Sequence, residues 1–229
     1  MTEWPIVLLG ALLAGCVTPA RPIVANDRVL EGTTDAGITW RLHRDESKTQ
    51  RLAVWLHPTG ETSAEKIEPL APLLAKYGYA LLVPLQRKGG WSGEEATAVF
   101  NGLVPTLPVD THEPLLIGFS AGAQMALLLW QKHPDAFGGV VLIGAAPRLD
   151  ALPANAESTA VLALVGEKEP IVEEWLRAVE PWRKAGIPLT LKIVEGRGHE
   201  FLLTPAELPL FEQWLQAVQE SSTTPPSGG

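Results

Sequence analysis

The feature that most constrains the fold of this chain is a serine between two glycines, where a strand-like segment meets a helix-like one. Residues 115–117 are a short apolar run, residues 118–122 read Gly-Phe-Ser-Ala-Gly, and residues 123–132 are rich in Ala and Leu. A strand that reverses sharply into a helix crowds the positions two before and two after the apex, and glycine at both positions relieves that crowding. The sequence therefore predicts strand, turn and helix with Ser120 at the apex.

An apex of this kind suits a serine that acts as a nucleophile. Its hydroxyl would project above the sheet, and the start of the helix would aim free backbone N–H groups, including that of Ala121, at a negative oxygen forming beside it. The pattern alone is a weak signal in a chain with 21 glycines. The flanking strand and helix make it informative, and the serine then needs a carboxylate and a histidine later in the chain.

Length and charge narrow the classes of protein that this chain can belong to. A chain of 229 residues with 46% hydrophobic and 19% charged residues suits one globular domain with a large core. The formal net charge is −8, and the Lys and Arg residues form no cluster. Nucleic acid is therefore not an expected partner.

Strand-like and helix-like segments alternate over most of the chain, which predicts an α/β domain with a mostly parallel central sheet flanked by helices. The first two predicted strands form an antiparallel edge. The predicted strands are 28–32, 38–44, 51–56, 79–85, 115–119, 139–145, 160–165 and 188–194. The predicted helices are 63–77, 92–104, 123–132, 171–185 and 206–219.

We predict that the domain covers residues 28–219, followed by a disordered tail at 220–229 that is rich in Ser, Thr, Pro and Gly. Residues 5–14 are apolar but too short to span a bilayer, and residues 13–16 read Leu-Ala-Gly-Cys. This start resembles a bacterial lipoprotein signal peptide (1–15) with its lipobox. The resemblance implies acylation of Cys16, a tether at 16–27 and a lipid anchor in the cell envelope, on the periplasmic or outer-membrane face.

Two questions stay open at the N-terminus. Residues 1–4 contain no Lys or Arg, where export signals carry positive charge, so either the true start lies further upstream or the signal is weak. The apolar stretch could also be an ordinary strand or helix with a chance cysteine.

The predicted strand order and the turn at Ser120 resemble the α/β-hydrolase superfamily over residues 51–217, particularly small serine esterases of the carboxylesterase, phospholipase and dienelactone-hydrolase-like kind. The resemblance implies an α/β-hydrolase fold. Lipases commonly insert a helical lid after the strand at 139–145, but only roughly fifteen residues separate it from the next strand. A minimal lid or none is expected, which leaves an open site.

The resemblance also implies a triad of catalytic side chains. The acid follows the strand at 160–165, where counting from Gly166 gives Glu169, with Glu167 as the rival. Glutamate in place of the commoner aspartate is a departure that the superfamily tolerates. The histidine is His199, which follows two glycines in the loop after the last strand, and Phe201 could hold that loop from its apolar side.

Two further roles are expected around Ser120. The oxyanion hole would use the N–H of Ala121 and a second donor from the loop after the strand at 51–56, where Pro58 has no N–H. That leaves Thr59, or else Gly60. Trp91, in a Gly-rich loop, could line a substrate pocket or serve the core.

The predicted function is hydrolysis of short-chain or water-soluble carboxylic esters through an acyl-enzyme on Ser120, with His199 as base and Glu169 as its partner. This chemistry uses no cofactor and no metal ion. Acyl transfer and peptidase activity use the same residues and stay open. A non-catalytic envelope protein that keeps the fold as a binding scaffold is the alternative from another class.

Overall fold

The computed structural model describes residues 27–60, 64–85, 90–147, 152 and 158–223. The predicted signal peptide, Cys16, almost all of the tether and the last six residues lie outside this part of the chain.

The described residues contain eight strands that form one sheet, in the order β1-β2-β4-β3-β5-β6-β7-β8. Strands β4, β3, β5, β6, β7 and β8 run parallel, whereas β1 pairs with β2, and β2 with β4, in antiparallel fashion. The strands are β1 Asp27–Thr33, β2 Thr39–Asp45, β3 Arg51–Leu56, β4 Tyr79–Pro84, β5 Asp110–Phe119, β6 Gly139–Ile143, β7 Ala160–Gly166 and β8 Leu189–Val194. This is the mostly parallel sheet with an antiparallel edge that the sequence predicts.

Helices cover both faces of the sheet. The helices are α1 Ala64–Ile67, α2 Ala71–Lys76, α3 Gly93–Thr97, α4 Ala121–Lys132, α5 Val172–Lys184 and α6 Leu208–Thr223. One face packs against α4 and α5, whose Trp130, Trp175 and Trp182 are fully buried. The other face packs against α2 and α6, and Phe211 of α6 is fully buried there. The side chains of the inner strands point alternately into these two cores.

Two predicted helices are broken into shorter pieces. The helix predicted at 63–77 is α1, a 3₁₀ turn at Glu68–Leu70 and α2, because Pro69 and Pro72 lack the N–H groups that a continuous helix needs. The helix predicted at 92–104 begins as α3, capped reciprocally by Ser92 and Glu95 as predicted, and continues as a π-helix at Ala98–Leu103.

Two further element boundaries differ from the predicted ones by four residues or more. Strand β5 begins at Asp110, five residues before the apolar run that predicts it. The apolar run does not indicate the first part of the strand, because that part is polar and largely exposed. Helix α6 continues four residues beyond the predicted end at 219, so the prediction of a disordered tail was wrong for residues 220–223. In the described residues, every helix is too short or too polar to cross a membrane.

Candidate active site

Ser120 lies at the sharp turn between β5 and α4. Its backbone has φ 53° and ψ −118°, a region that residues other than glycine rarely adopt and that costs on the order of 1–3 kcal/mol. Two backbone hydrogen bonds hold the turn: Ser120 N–H donates to Ile143 O at 2.8 Å, and Gln124 N–H donates to Ser120 O at 3.0 Å. The turn therefore fixes the hydroxyl of Ser120 at the carboxyl end of the sheet.

Neighbouring backbone atoms leave no room for a side chain at either of the two glycines around Ser120. A Cβ at Gly118 would lie 2.6 Å from Ala123 N, and a Cβ at Gly122 would lie 1.9 Å from Leu56 O. The second contact shows that the end of β3 is pressed against the first turn of α4. Neither position can hold a side chain without moving backbone.

The structure brings Ser120, His199 and Glu169 into one hydrogen-bonded row. His199 Nε2 lies 2.8 Å from Ser120 Oγ, and His199 Nδ1 lies 2.8 Å from Glu169 Oε2. The other oxygen of Glu169 accepts a hydrogen bond from Gly166 N–H at 2.9 Å, and Glu169 is only 6% exposed. With Nδ1–H donating to the carboxylate, Nε2 is free to accept the serine proton.

Glu167, the rival acid, has a different partner. Its carboxylate accepts a hydrogen bond from Gly196 N–H at 2.8 Å and holds the loop that carries His199. That loop also approaches the acid turn closely, since a Cβ at Gly166 would lie 2.3 Å from Gly198 O. Glu167 therefore braces the loop, and Glu169 alone of the two reaches the imidazole.

The imidazole of His199 is held on its other sides by residues that the sequence analysis missed. Gly144 has φ +60°, and a Cβ there would lie 3.0 Å from His199 Nδ1. The Phe119 ring lies 5.4 Å from the His199 ring between centroids. Phe201, expected to hold the histidine loop, packs edge-on against Phe119 at 6.1 Å. The contacts of Gly144 and Phe119 with His199 join segments that are far apart in the chain, so no local pattern in the sequence indicates them.

An open depression of about 470 Å³ adjoins Ser120 and His199. Most of its lining is apolar. The lining residues are Ser120, Ala121, Gln124, Gly144, Ala146, Glu169, Pro170, Ile171 and His199. Gln124 was also missed by the sequence analysis, although its position one helical turn after Ser120 could have indicated it.

The two expected oxyanion donors lie on adjoining segments. Ala121 begins α4 and lines the depression beside Ser120. Thr59 is exposed and follows β3, whose last residues contact Gly122. Their shared role as donors stays a prediction.

Trp91 lies beside the same loop. Its ring stacks on the buried His57 at 5.0 Å between centroids, and it packs against the core. His57 Nδ1 lies 2.9 Å from Pro58 O, and burial lowers the pKa of His57 below its ordinary value of 6.5. The contacts of Trp91 are thus with the loop after β3, and its contact with substrate stays a prediction.

Among the described residues, no group of three or more His, Cys, Asp or Glu side chains could hold a metal ion. The predicted lipidation site, Cys16, lies outside the described residues.

Comparison with curated proteins gives a sequence relative. NocK of Nocardia uniformis subsp. tsuyamanensis, which is assigned as an esterase, is 31% identical over 185 residues. The matched segment is 69% of this chain and 51% of NocK, so the chain spans about half the length of this relative. No protein-family model matches the chain.

Solved structures resemble this chain along most of its length. A Thermus thermophilus protein matches with a TM-score of 0.64 and 22% identity, over 85% of this chain and 98% of its own. A ferulic acid esterase matches with a TM-score of 0.64 and 15% identity, over 84% and 98%. An S-formylglutathione hydrolase from Agrobacterium tumefaciens matches with a TM-score of 0.62 and 14% identity, over 82% and 94%. With the observed strand order, these likenesses establish that the chain has the α/β-hydrolase fold.

Proposed function

We propose that this protein is a serine hydrolase that cleaves short-chain or water-soluble carboxylic esters through an acyl-enzyme. The observation that carries the proposal is the row of two 2.8 Å hydrogen bonds from Ser120 through His199 to Glu169, at a strained turn. The sequence similarity to NocK and the fold shared with a ferulic acid esterase support it.

The proposed reaction gives each residue of the site a role. His199 Nε2 takes the proton of Ser120 as Oγ attacks the ester carbonyl, and Glu169 stabilises the resulting imidazolium. The N–H groups of Ala121 and Thr59 would stabilise the tetrahedral oxyanion. The intermediate collapses, the C–O bond breaks, and His199 gives its proton to the departing alcohol. Water, deprotonated by His199, then attacks the acyl-enzyme. The bond between the acyl carbon and Ser120 Oγ breaks, His199 returns the proton to Ser120 Oγ, and the carboxylic acid leaves.

The shape of the site favours small substrates. The depression beside Ser120 is open and of moderate volume, which suits a short acyl chain or a compact alcohol group. Only a short segment, residues 144–159, joins β6 to β7. Residues 148–151 and 153–157 lie outside the described chain, so a minimal lid stays a prediction.

A panel of p-nitrophenyl esters of increasing acyl length, run beside peptide substrates, tests the proposal. We expect the highest kcat/KM for short acyl chains and a loss of at least about a thousandfold in Ser120→Ala. Thr97→Ala, a change on the exposed surface of α3, serves as the control and should retain full activity. Equal ester hydrolysis by wild type and Ser120→Ala would exclude Ser120 as the nucleophile, and cleavage of peptides alone would favour a peptidase.

We also propose that the protein is attached to the cell envelope through acylated Cys16, on the grounds of the Leu-Ala-Gly-Cys sequence at 13–16. Expressed in a bacterial host, the wild type should partition into the detergent phase and Cys16→Ser into the aqueous phase. Aqueous partitioning of the wild type would refute the anchor.

A further inference from the structure

We propose that the carboxamide of Gln124 selects uncharged esters that carry a hydroxyl or a similar hydrogen-bonding group, which it binds in the depression beside Ser120. This inference rests on the proposed ester hydrolysis and adds to it a substrate class and the residue that recognises it.

Gln124 is well placed to contact a bound ester. It follows Ser120 by four residues on α4, close to one turn of 3.6 residues, and its N–H donates to Ser120 O at 3.0 Å. Residues four apart lie on the same helix face. The side chain therefore lines the depression on the side of the nucleophile.

Within the part of the chain that the structure describes, the carboxamide of Gln124 makes only one hydrogen bond. Its Nε2 donates to Ala146 O at 3.4 Å, well beyond the usual 2.9–3.0 Å. Its oxygen accepts no hydrogen bond from the described residues. Since a carboxamide has two N–H donors and a carbonyl acceptor, both a donor and an acceptor remain for a ligand.

The other residues that line the depression explain why Gln124 would dominate the selection of substrates. Ala146, Pro170 and Ile171 form apolar walls. Glu169 and His199 are already engaged with each other. No Lys or Arg is among the described residues that line the depression, so an anionic group would find no cation there. A hydroxyl suits the site best, because it can donate to the Gln124 oxygen and accept from its N–H.

The test compares pairs of esters that differ by one hydroxyl. Aryl butyrate and aryl 3-hydroxybutyrate probe the acyl side, and ethyl and 2-hydroxyethyl butyrate probe the alcohol side. Both pairs are assayed with the wild type, Gln124→Met and Gln131→Met. Methionine keeps the length of glutamine and removes its hydrogen bonding. Gln131 is the matched control because it lies two turns further along the same face of α4, away from the depression.

We expect the wild type and Gln131→Met to prefer the hydroxylated ester of at least one pair in kcat/KM. Gln124→Met should lose that preference by about two- to tenfold, measured within each variant as the ratio of kcat/KM for the hydroxylated ester to that for the unsubstituted ester of the same pair. Gln124→Ala, whose smaller side chain cannot crowd its neighbours, should also lose the preference for the hydroxylated ester. Thermal unfolding of each variant checks that it is folded.

The outcomes separate this inference from the proposed function. Equal losses on both members of a pair would mean that Gln124 only supports the loop at Ala146, and would overturn the inference. Ester hydrolysis without any hydroxyl preference in the wild type would overturn it too, and would leave the proposed hydrolase intact. Failure of the wild type to hydrolyse any ester would overturn both.

Discussion

At the scale of single residues, two glutamates two positions apart have separate surroundings. Glu169 is buried, takes a hydrogen bond from Gly166 N–H and reaches His199 at 2.8 Å. Glu167 is exposed and binds Gly196 N–H. Counting from Gly166 in the sequence indicated Glu169, but sequence could not decide between them, because only the turn geometry determines which carboxylate faces the imidazole.

The Glu169→Gln variant should lower ester turnover by at least about a hundredfold, because an amide cannot stabilise the imidazolium as a carboxylate does. Glu167→Gln is the matched control and should change turnover little. The measurement is kcat on a short-chain ester at pH 7.5. Full turnover in Glu169→Gln together with a large loss in Glu167→Gln would reverse the two roles.

A second prediction concerns His57. Burial lowers its pKa, although nearby Glu95 opposes the shift, so the folded protein resists a proton that the unfolded chain accepts. The contribution of neutral, buried His57 to the free energy of unfolding is present above pH 6.5, and it is lost as the pH falls through the lowered pKa of His57. His57→Phe keeps the stack on Trp91 but does not titrate.

The free energy of urea-induced unfolding, measured at pH 7.5 and pH 5.0, tests this account of His57. The wild type should lose more stability between the two pH values than His57→Phe. Equal losses would show that His57 does not contribute to the acid sensitivity.

At the scale of elements, the site depends on how closely β3, α4 and the histidine loop pack. The sequence predicts the turn at Ser120 because the two glycines are local to it. It cannot predict that Gly144 and Phe119 hold the His199 ring, since these contacts join segments far apart in the chain. The break in the helix predicted at 63–77 could have been predicted, because Pro69 and Pro72 are visible in the sequence.

Gly122→Ala should destabilise the protein by about 1–3 kcal/mol and reduce activity, because the added Cβ would meet Leu56 O and displace the start of α4. Gly102→Ala is the control, as a Cβ there meets nothing within 4 Å. We expect it to be neutral or to stabilise by up to about 1 kcal/mol. Chemical denaturation and ester turnover, measured on both, provide the comparison. Normal stability and activity in Gly122→Ala would contradict the close packing at this turn.

At the scale of the whole molecule, the mostly parallel sheet with helices on both faces follows from the alternation of strands and helices, and the sequence was sufficient to predict it. The order of the strands within the sheet was not predicted, because alternation does not determine which strands are neighbours. Charge acts at this scale as well. The chain has a net charge of −8, and the depression has no Lys or Arg among its described lining residues. We therefore expect the electrostatic field at the site to oppose anionic substrates.

A monosuccinate aryl ester should be hydrolysed at least about tenfold more slowly in kcat/KM than the uncharged butyrate, because it must approach against this field. Raising the salt concentration from 20 to 500 mM should narrow the gap, as screening shortens the Debye length from tens of ångströms to a few. A preference for the anionic ester, or a gap insensitive to salt, would contradict the electrostatic account.

The central claim is that Ser120 is a nucleophile activated by His199, and covalent labelling tests it most directly. The folded protein is treated with a fluorophosphonate probe at neutral pH, and the modified residue is mapped by mass spectrometry in the wild type, Ser120→Ala and His199→Gln. We predict one adduct on Ser120 in the wild type, none in Ser120→Ala and strongly slowed labelling in His199→Gln. An unlabelled wild-type protein, or labelling that persists in Ser120→Ala, would contradict it.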